Sequence, residues 1–176
     1  DQVEAMVAAC TKSFGRIDVL HNNVGIVAPG GAVEQTEDDW DRVMATNLKS
    51  MFLTCKSVIP IMQEQNGGSI INLSSIAAVR AYPGTSTAYT TGKAAAMGLT
   101  VALAGQLGAD RIRVNAVAPG QVFTPLVAER LSPEGRHARA TSGVIKDEGS
   151  AWDIGWASVF LASDESRWIT GQTLLV

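Results

Sequence analysis

Tyr89 and Lys93 lie four residues apart in the stretch AYTTGKAAAMG, and this pair could exchange protons with a bound molecule. On a helix both side chains would share one face, with Cβ atoms about 6 Å apart. The ordinary pKa of a phenol is about 10, and a positive charge held close by in a site sheltered from water lowers it. A surface lysine beside a partly buried tyrosine is the alternative, so the surrounding sequence must decide between the two.

Three apolar runs end directly in polar or turn residues, at HNNVG (21–25), NLSS (72–75) and NAVAPG (115–120). Helical spacing of apolar residues separates them, most clearly after Thr36 and over residues 87–107. Strands that alternate with long helices predict a parallel sheet covered on both faces, and such sheets bind ligands beyond the carboxyl ends of their strands. Turn formation alone could explain any one of these loops, but three of them together with YTTGK favour a site.

The remaining segments continue the alternation. We expect a helix over residues 3–14 that ends at Gly15, and a second helix that starts from a capping box at Ser150 and Asp153. A fourth strand is predicted at residues 173–176. The strand that begins at Ile17 reads as buried on both faces because its apolar run is continuous, yet it would be an exposed edge if nothing preceded it.

Composition limits the class of partner. A chain of 176 residues with 46% hydrophobic residues, scattered basic residues and a net charge of -3 predicts one soluble domain with a small-molecule partner and no nucleic acid. No apolar run reaches the roughly 20 residues that span a bilayer, so we predict no membrane partner. Cys10 and Cys55 form no C-x-x-C pair, which predicts free thiols and a cytoplasmic location. We predict no metal site.

Two nucleotide-binding motifs can be tested directly. A phosphate loop that ended in Gly92 and Lys93 would need glycine at Thr87 and serine or threonine at Ala94, so the motif fails twice. A dinucleotide fingerprint needs closely spaced glycines, and no G-x-G occurs in the sequence.

Taken together, the motifs resemble the short-chain dehydrogenase/reductase family. They are NNVG, TN in the following helix, INLSS, Y-x-x-x-K, VNAVAPG followed by TP, and FLASDESRWITGQ, in this order over the whole chain. The resemblance implies a Rossmann-type doubly wound parallel α/β sheet. It also implies NAD(P)-dependent interconversion of an alcohol and a carbonyl by hydride transfer.

The resemblance assigns four catalytic residues. Tyr89 would be the general acid/base, and Lys93 would lower its pKa and hold the nicotinamide ribose. Ser75 would hydrogen-bond the substrate oxygen. It lies one residue further from Tyr89 than is usual, which indicates either an insertion in the loop 76–88 or that Ser74 is the serine concerned. Asn47 would support a proton relay to the lysine through water. Asn47 also lies on an apolar helical stripe, where a structural bond to the backbone is the alternative.

The resemblance also implies contacts with a cofactor, NAD or NADP, from Tyr89, Lys93 and two loops. The residues of the two loops are Asn22, Asn23 and Gly25 on the adenosine side, and Pro119, Gly120, Val122 and Thr124 beside the nicotinamide. The segment 123–149, irregular with at most short helices, would be the substrate lid. Phe123, Leu126 and Val127 would form walls on the substrate side.

The chain departs from the family at other positions as well. Val24 replaces the usual alanine of NNVG, and the family's first strand and glycine-rich turn are absent, as is the glycine tail after LLV. We therefore expect residues 1–176 to be a single partial Rossmann-type domain, with the first βαβ portion missing, from a longer dehydrogenase. A homodimer or homotetramer formed through the two long helices is expected. A truncated, non-catalytic relative that acts as an oligomer-forming partner is the alternative function.

Overall fold

The computed structural model describes residues 2–81, 84–128 and 131–176, without the side chain of Leu126. Helices and strands alternate along these residues. The helices are α1 (Gln2–Phe14), α2 (Glu37–Met44), α3 (Ser50–Glu64), α4 (Thr87–Leu107), α5 (Pro125–Ala128), α6 (Pro133–Ser142) and α7 (Ala151–Ala162). The strands are β1 (Val19–Asn22), β2 (Gly68–Leu73), β3 (Ile112–Ala118) and β4 (Thr173–Leu175).

The strands form one parallel sheet in the order β1-β2-β3-β4. Ser69 of β2 lies beside Val19 on one side and beside Arg113 on the other, and Ala116 of β3 lies beside Thr173. Because every strand runs in the same direction, their carboxyl ends meet at one edge of the sheet. The predicted parallel α/β sheet is therefore confirmed.

Helices cover both faces of the sheet, as a doubly wound fold requires. Successive strand residues point to opposite faces, so Ile70 packs among residues of α1, α3 and α4 while its neighbour Ile71 packs against α7. On the first face the buried cluster includes Val58 and Met62 of α3. The crossover from β2 to β3 therefore passes over one face through α4, and the crossover from β3 to β4 passes over the other through α7.

β1 lies at one edge of the sheet, and the prediction that both its faces are buried is wrong for the described residues. Val19 and His21 point to the same face as Ser69, which bonds to α7, but both are exposed. Val19 is 41% exposed. The continuous apolar run indicated two covered faces, whereas α7 packs over β2 and β3 and leaves this face of β1 open.

The predicted helix starts agree with the structure. Thr36 caps α2 by accepting a hydrogen bond from Asp39 N at 3.1 Å, and Ser150 and Asp153 form the capping box of α7. The helix after Thr36 is not continuous, however, because a π-helical turn at Ala45–Lys49 separates α2 from α3. Within the predicted lid, α6 is ten residues long, and residues 129 and 130 lie outside the description.

Candidate active site

A cavity of about 1080 Å³ opens at the carboxyl ends of β1, β2 and β3. Nine of the eleven predicted site residues line it, and they come from three separate loops and from α4. They are Asn23, Gly25, Ser75, Tyr89, Lys93, Pro119, Gly120, Val122 and Thr124. The two that do not line it are Asn22 and Asn47.

Tyr89 and Lys93 reach this cavity from the first two turns of α4. Ser86 caps the helix, and its Oγ accepts a hydrogen bond from Tyr89 N at 3.3 Å. Lys93 lies one turn further on, with its Nζ 5.8 Å from the centroid of the Tyr89 ring. The prediction that the two side chains share one helix face is therefore confirmed.

The Lys93 side chain is buried, with 3% of the residue exposed. Its Nζ donates a hydrogen bond to Leu73 O at 2.6 Å, and no carboxylate in the described part of the chain forms an ion pair with it. Burial lowers the pKa of Lys93 from 10.5 to about 8, because removal from water disfavours the charged form. Below that pH the ammonium charge is not neutralised by a neighbour, so it acts on whatever occupies the cavity.

The two serines after β2 have different partners. Ser74 Oγ donates a hydrogen bond to Lys93 O at 2.7 Å and so ties the end of β2 to α4. Ser75 Oγ accepts a hydrogen bond from Ala77 N at 3.2 Å, which uses a lone pair and leaves the hydroxyl hydrogen for an acceptor in the cavity. This difference favours Ser75 over Ser74 as the serine that meets a substrate.

Asn47 lies in the π-helical turn and is completely buried. Its Nδ2 donates to Ile26 O at 2.9 Å, and its Oδ1 accepts from Ile26 N at 2.8 Å. The side chain thus forms the structural bond to the backbone that was the alternative to a relay role. The bond holds the loop after β1 close to α4: a methyl group at Gly25 would lie 3.3 Å from Lys93 Nζ and 3.5 Å from Asn47 Oδ1.

Asn22 was predicted to line the cofactor cleft, and the structure places it elsewhere. It points from β1 toward α3, where Thr54 Oγ1 donates to its Oδ1 at 2.7 Å. Its Nδ2 donates to Asn72 Oδ1 at 2.9 Å, and Asn72 in turn donates to Thr100 of α4 at 3.0 Å. This buried chain of side chains links two strands and two helices, and Asn23 alone of the pair faces the cavity.

The loop after β3 leads from the cavity into the lid. Gly120 N donates to Val176 O at 2.6 Å, and a methyl group at Gly120 would lie 3.1 Å from that oxygen, so the two backbones approach closely. Of the predicted substrate walls, Val127 lines the cavity and the side chain of Leu126 lies outside the description. Phe123 does not line it. Its ring packs against Arg136 instead, with the guanidinium carbon 3.6 Å from the ring centroid.

Gln35 was not singled out from the sequence, yet it joins the loop after β1 to the start of α4. Its Nε2 donates to Ala28 O at 3.0 Å and to Ser86 Oγ at 2.9 Å. Its Oε1 accepts from Ala88 N at 3.0 Å, next to Tyr89. Two of these partners, Ser86 and Ala88, are about fifty residues away from Gln35 along the chain. No local sequence pattern could therefore have revealed these bonds.

Within residues 2–81, 84–128 and 131–176, no three histidine, cysteine or acidic side chains come together as metal ligands would. In the same ranges, none of the helices has both the length and the apolar character needed to cross a membrane.

Comparison with known proteins places this site in a family. A family model described as enoyl-(acyl carrier protein) reductase matches residues 1–176. The chain is 39% identical over 174 residues to 3-oxoacyl-(acyl-carrier-protein) reductase FabG of Thermotoga maritima, covering 99% of this chain and 70% of that protein. It is also 39% identical over 178 residues to 2-(R)-hydroxypropyl-CoM dehydrogenase of Xanthobacter autotrophicus, covering 99% of this chain and 71% of that protein.

Solved structures agree with these relatives. A Burkholderia xenovorans protein described as a short-chain dehydrogenase/reductase superposes with a TM-score of 0.93 at 36% identity, over 99% of this chain and 67% of the other. Levodione reductase superposes with a TM-score of 0.95 at 32% identity, over 99% of this chain and 70% of the other. The chain therefore belongs to the short-chain dehydrogenase/reductase family of NAD(P)-dependent oxidoreductases.

Proposed function

We propose that this chain interconverts an alcohol and a carbonyl in a small-molecule substrate by NAD(P)-dependent hydride transfer, with Tyr89 as the general acid/base. The observation that carries the proposal is the convergence of Ser75, Tyr89 and Lys93 on one cavity. Within it, the Lys93 ammonium is buried and no described carboxylate pairs with it. Screening ketones and alcohols with NAD(H) and NADP(H), followed by the substitutions below, tests it.

The residues around Lys93 fit the nicotinamide end of the cofactor. Because Gly25 has no side chain, the space beside Lys93 Nζ stays open. A methyl group at this position would lie 3.3 Å from Nζ. Lys93 would hold the ribose hydroxyls, while Asn23, Gly25, Pro119, Gly120, Val122 and Thr124 would line the rest of the cleft. When bound, the reduced cofactor supplies a hydride to a carbonyl and the oxidised cofactor accepts one from an alcohol.

The proton is handled by the protein. In the direction of reduction, the Tyr89 hydroxyl donates its proton to the substrate oxygen, and in the direction of oxidation the phenolate accepts it. The positive charge of Lys93 stabilises the phenolate, and the Ser75 hydroxyl donates a hydrogen bond to the substrate oxygen. Asn47 contributes as a positioning residue, because its amide binds Ile26 and so keeps Gly25 beside Lys93. The water that relays the proton would lie close to the π-helical turn that contains Asn47.

Ser75→Ala is expected to impair mainly turnover, and Ser74→Ala mainly stability. Ser75→Ala should lower kcat/KM by about 10²-fold, because it removes a donor to the substrate oxygen. Ser74→Ala should lower the free energy of unfolding by about 1 kcal/mol, because it breaks the bond to Lys93 O, with a smaller effect on turnover. Steady-state kinetics and urea unfolding of both variants check this. Equal loss of turnover in the two variants would contradict the assignment of Ser75.

We also propose that copies of the chain associate through α3 and α4. Phe52 and Val101 are large apolar residues on these helices, and they are 50% and 59% exposed. Sedimentation should find a dimer or tetramer, and Phe52→Glu combined with Val101→Glu should shift it toward the monomer. Val33→Glu is the matched control, because Val33 is 91% exposed on a loop outside these helices. A monomeric wild type, or an assembly that survives the double substitution, would refute this interface.

A further inference from the structure

The charge of the cavity is unlike that of the whole chain. The sequence has 17 acidic residues and 14 lysine and arginine residues. Three cationic side chains nevertheless line the cavity, and no carboxylate among the described residues does so. Lys93 has a role in the proposed proton transfer, whereas the other two cations, Arg80 and Arg139, have none.

Arg80 lies on the segment that joins the two residues assigned to the substrate oxygen, Ser75 and Tyr89. A short 3-10 turn at Ile76–Ala78 begins this segment, and Arg80 N donates to Ile76 O at 3.0 Å, which fixes the backbone there. Its side chain is exposed toward the cavity, and none of the carboxylates that the structure describes forms an ion pair with it. Arg80 thus lines the same cavity as Ser75 and Tyr89, from the segment that joins them.

Arg139 reaches the same cavity from the last turn of α6, in the lid. Its Nη2 donates to Val122 O at 3.4 Å, which holds the guanidinium beside the loop after β3. The neighbouring lid arginine, Arg136, differs in that its Nε donates to both carboxylate oxygens of Glu148 at 3.0 Å and its guanidinium stacks on Phe123. The charge of Arg139 also helps to lower the pKa of Glu148, but only Arg136 forms an ion pair with it among the described residues, and Arg139 lines the cavity.

We propose that the substrate carries an anionic group that Arg80 and Arg139 bind while its carbonyl or alcohol lies at Ser75 and Tyr89. This inference rests on the proposed function and names its substrate class, that of oxo acids and hydroxy acids. A guanidinium presents parallel N–H donors that match two oxygens of a carboxylate, and phosphonate or sulfonate oxygens share that chemistry.

The test compares oxo acids with their methyl esters, which lack the negative charge and carry one additional methyl group. Pyruvate, acetoacetate and levulinate are assayed beside their esters with wild type, Arg80→Gln and Arg139→Gln. A further pair, 2-oxopropylphosphonate and its dimethyl ester, asks whether a phosphonate replaces the carboxylate. Arg167→Gln is the control, because it removes the same charge from an exposed side chain that does not line this cavity.

Wild type should use at least one acid about tenfold or more better than its ester, measured as kcat/KM. Each cavity variant should lose about tenfold of that preference, with kcat/KM for the ester, the cofactor KM and the melting temperature unchanged. The control should keep the wild-type ratio. Together these results would support the inference.

Three outcomes would overturn it. Esters could be used as well as acids by wild type, or the acid-to-ester ratio could survive in Arg80→Gln or in Arg139→Gln. The variants could instead raise the cofactor KM, which would assign the two arginines to cofactor phosphates. The first two outcomes leave turnover and the proposed function intact, whereas hydride transfer to no compound, acid or ester, would count against both.

Discussion

Tyr89→Phe is expected to lower kcat/KM by about 10³-fold, within the range that loss of a positioned proton donor produces. The substitution removes the hydroxyl that exchanges a proton with the substrate oxygen and keeps the ring that lies 5.8 Å from Lys93 Nζ. The cofactor would lose one hydrogen bond at most, so its dissociation constant should change little. Single-turnover kinetics and NAD(P)H fluorescence titration measure the two effects separately.

The result distinguishes catalysis from folding because the ring and its helix remain in place. Ser86 caps α4 through the backbone N–H of residue 89, which phenylalanine also has. The melting temperature should therefore stay within a few degrees of wild type. Retention of more than a tenth of wild-type turnover would refute the role of Tyr89. A wild-type chain that assembles but neither binds the cofactor nor turns over would instead favour the non-catalytic, oligomer-forming alternative.

Most of the elements could be predicted from the sequence because their signals are local. The capping residues Thr36 and Ser150 each precede an apolar stripe of helical spacing, and both caps form. The runs that end at NLSS and NAVAPG are apolar on both faces, and β2 and β3 are buried between helices as such runs require. The convergence of Ser75, Tyr89 and Lys93 follows from this order, since parallel strands end at the same edge.

What could not be predicted depends on partners distant in sequence. Asn22 and Asn23 are adjacent, and their side chains leave the backbone in opposite directions, so the motif alone does not say which one faces the cavity. The answer depends on Thr54 and Asn72, which bind Asn22 from α3 and β2. The π-helical turn around Asn47 could not be predicted for the same reason. The Asn47 amide binds the backbone of Ile26 in another loop, and the sequence does not determine the path of that loop.

The site also brings together groups that do not stabilise the fold. A buried ammonium with no paired carboxylate raises the free energy of the native state, yet the same uncompensated charge is what the phenolate of Tyr89 requires. Function and stability therefore oppose each other at Lys93. This opposition can be measured, because it has a defined pH dependence.

Lys93→Met is expected to reduce turnover by about 10²-fold or more while removing a pH dependence of stability. Burial lowers the pKa of Lys93 from 10.5 to about 8. Between these pH values the unfolded chain binds the lysine proton and the native chain does not, so the free energy of unfolding of wild type rises with pH. Below pH 8 both states bind the proton, and the full cost of the buried charge, about 3 kcal/mol, is present.

Urea unfolding at a series of pH values between 7 and 10.5 measures this difference. The stability of Lys93→Met relative to wild type should be greatest below pH 8 and should decline by about 3 kcal/mol as the pH rises to 10.5. The lost bond to Leu73 O costs about 1 to 3 kcal/mol and shifts the whole curve without changing its slope. Burial also raises the pKa of the Cys55 thiol to about 11, which lowers stability at high pH equally in both proteins and so cancels.

Lys12→Met is the matched control, because Lys12 is exposed on α1 and lies outside the cavity. It should retain wild-type turnover and should not reproduce the change in slope. If the stability difference between Lys93→Met and wild type were independent of pH, the ammonium would not be destabilised by burial. The charge could not then act on Tyr89 with the strength that an unpaired cation in a sheltered cavity exerts, and the electrostatic part of the proposed mechanism would fail.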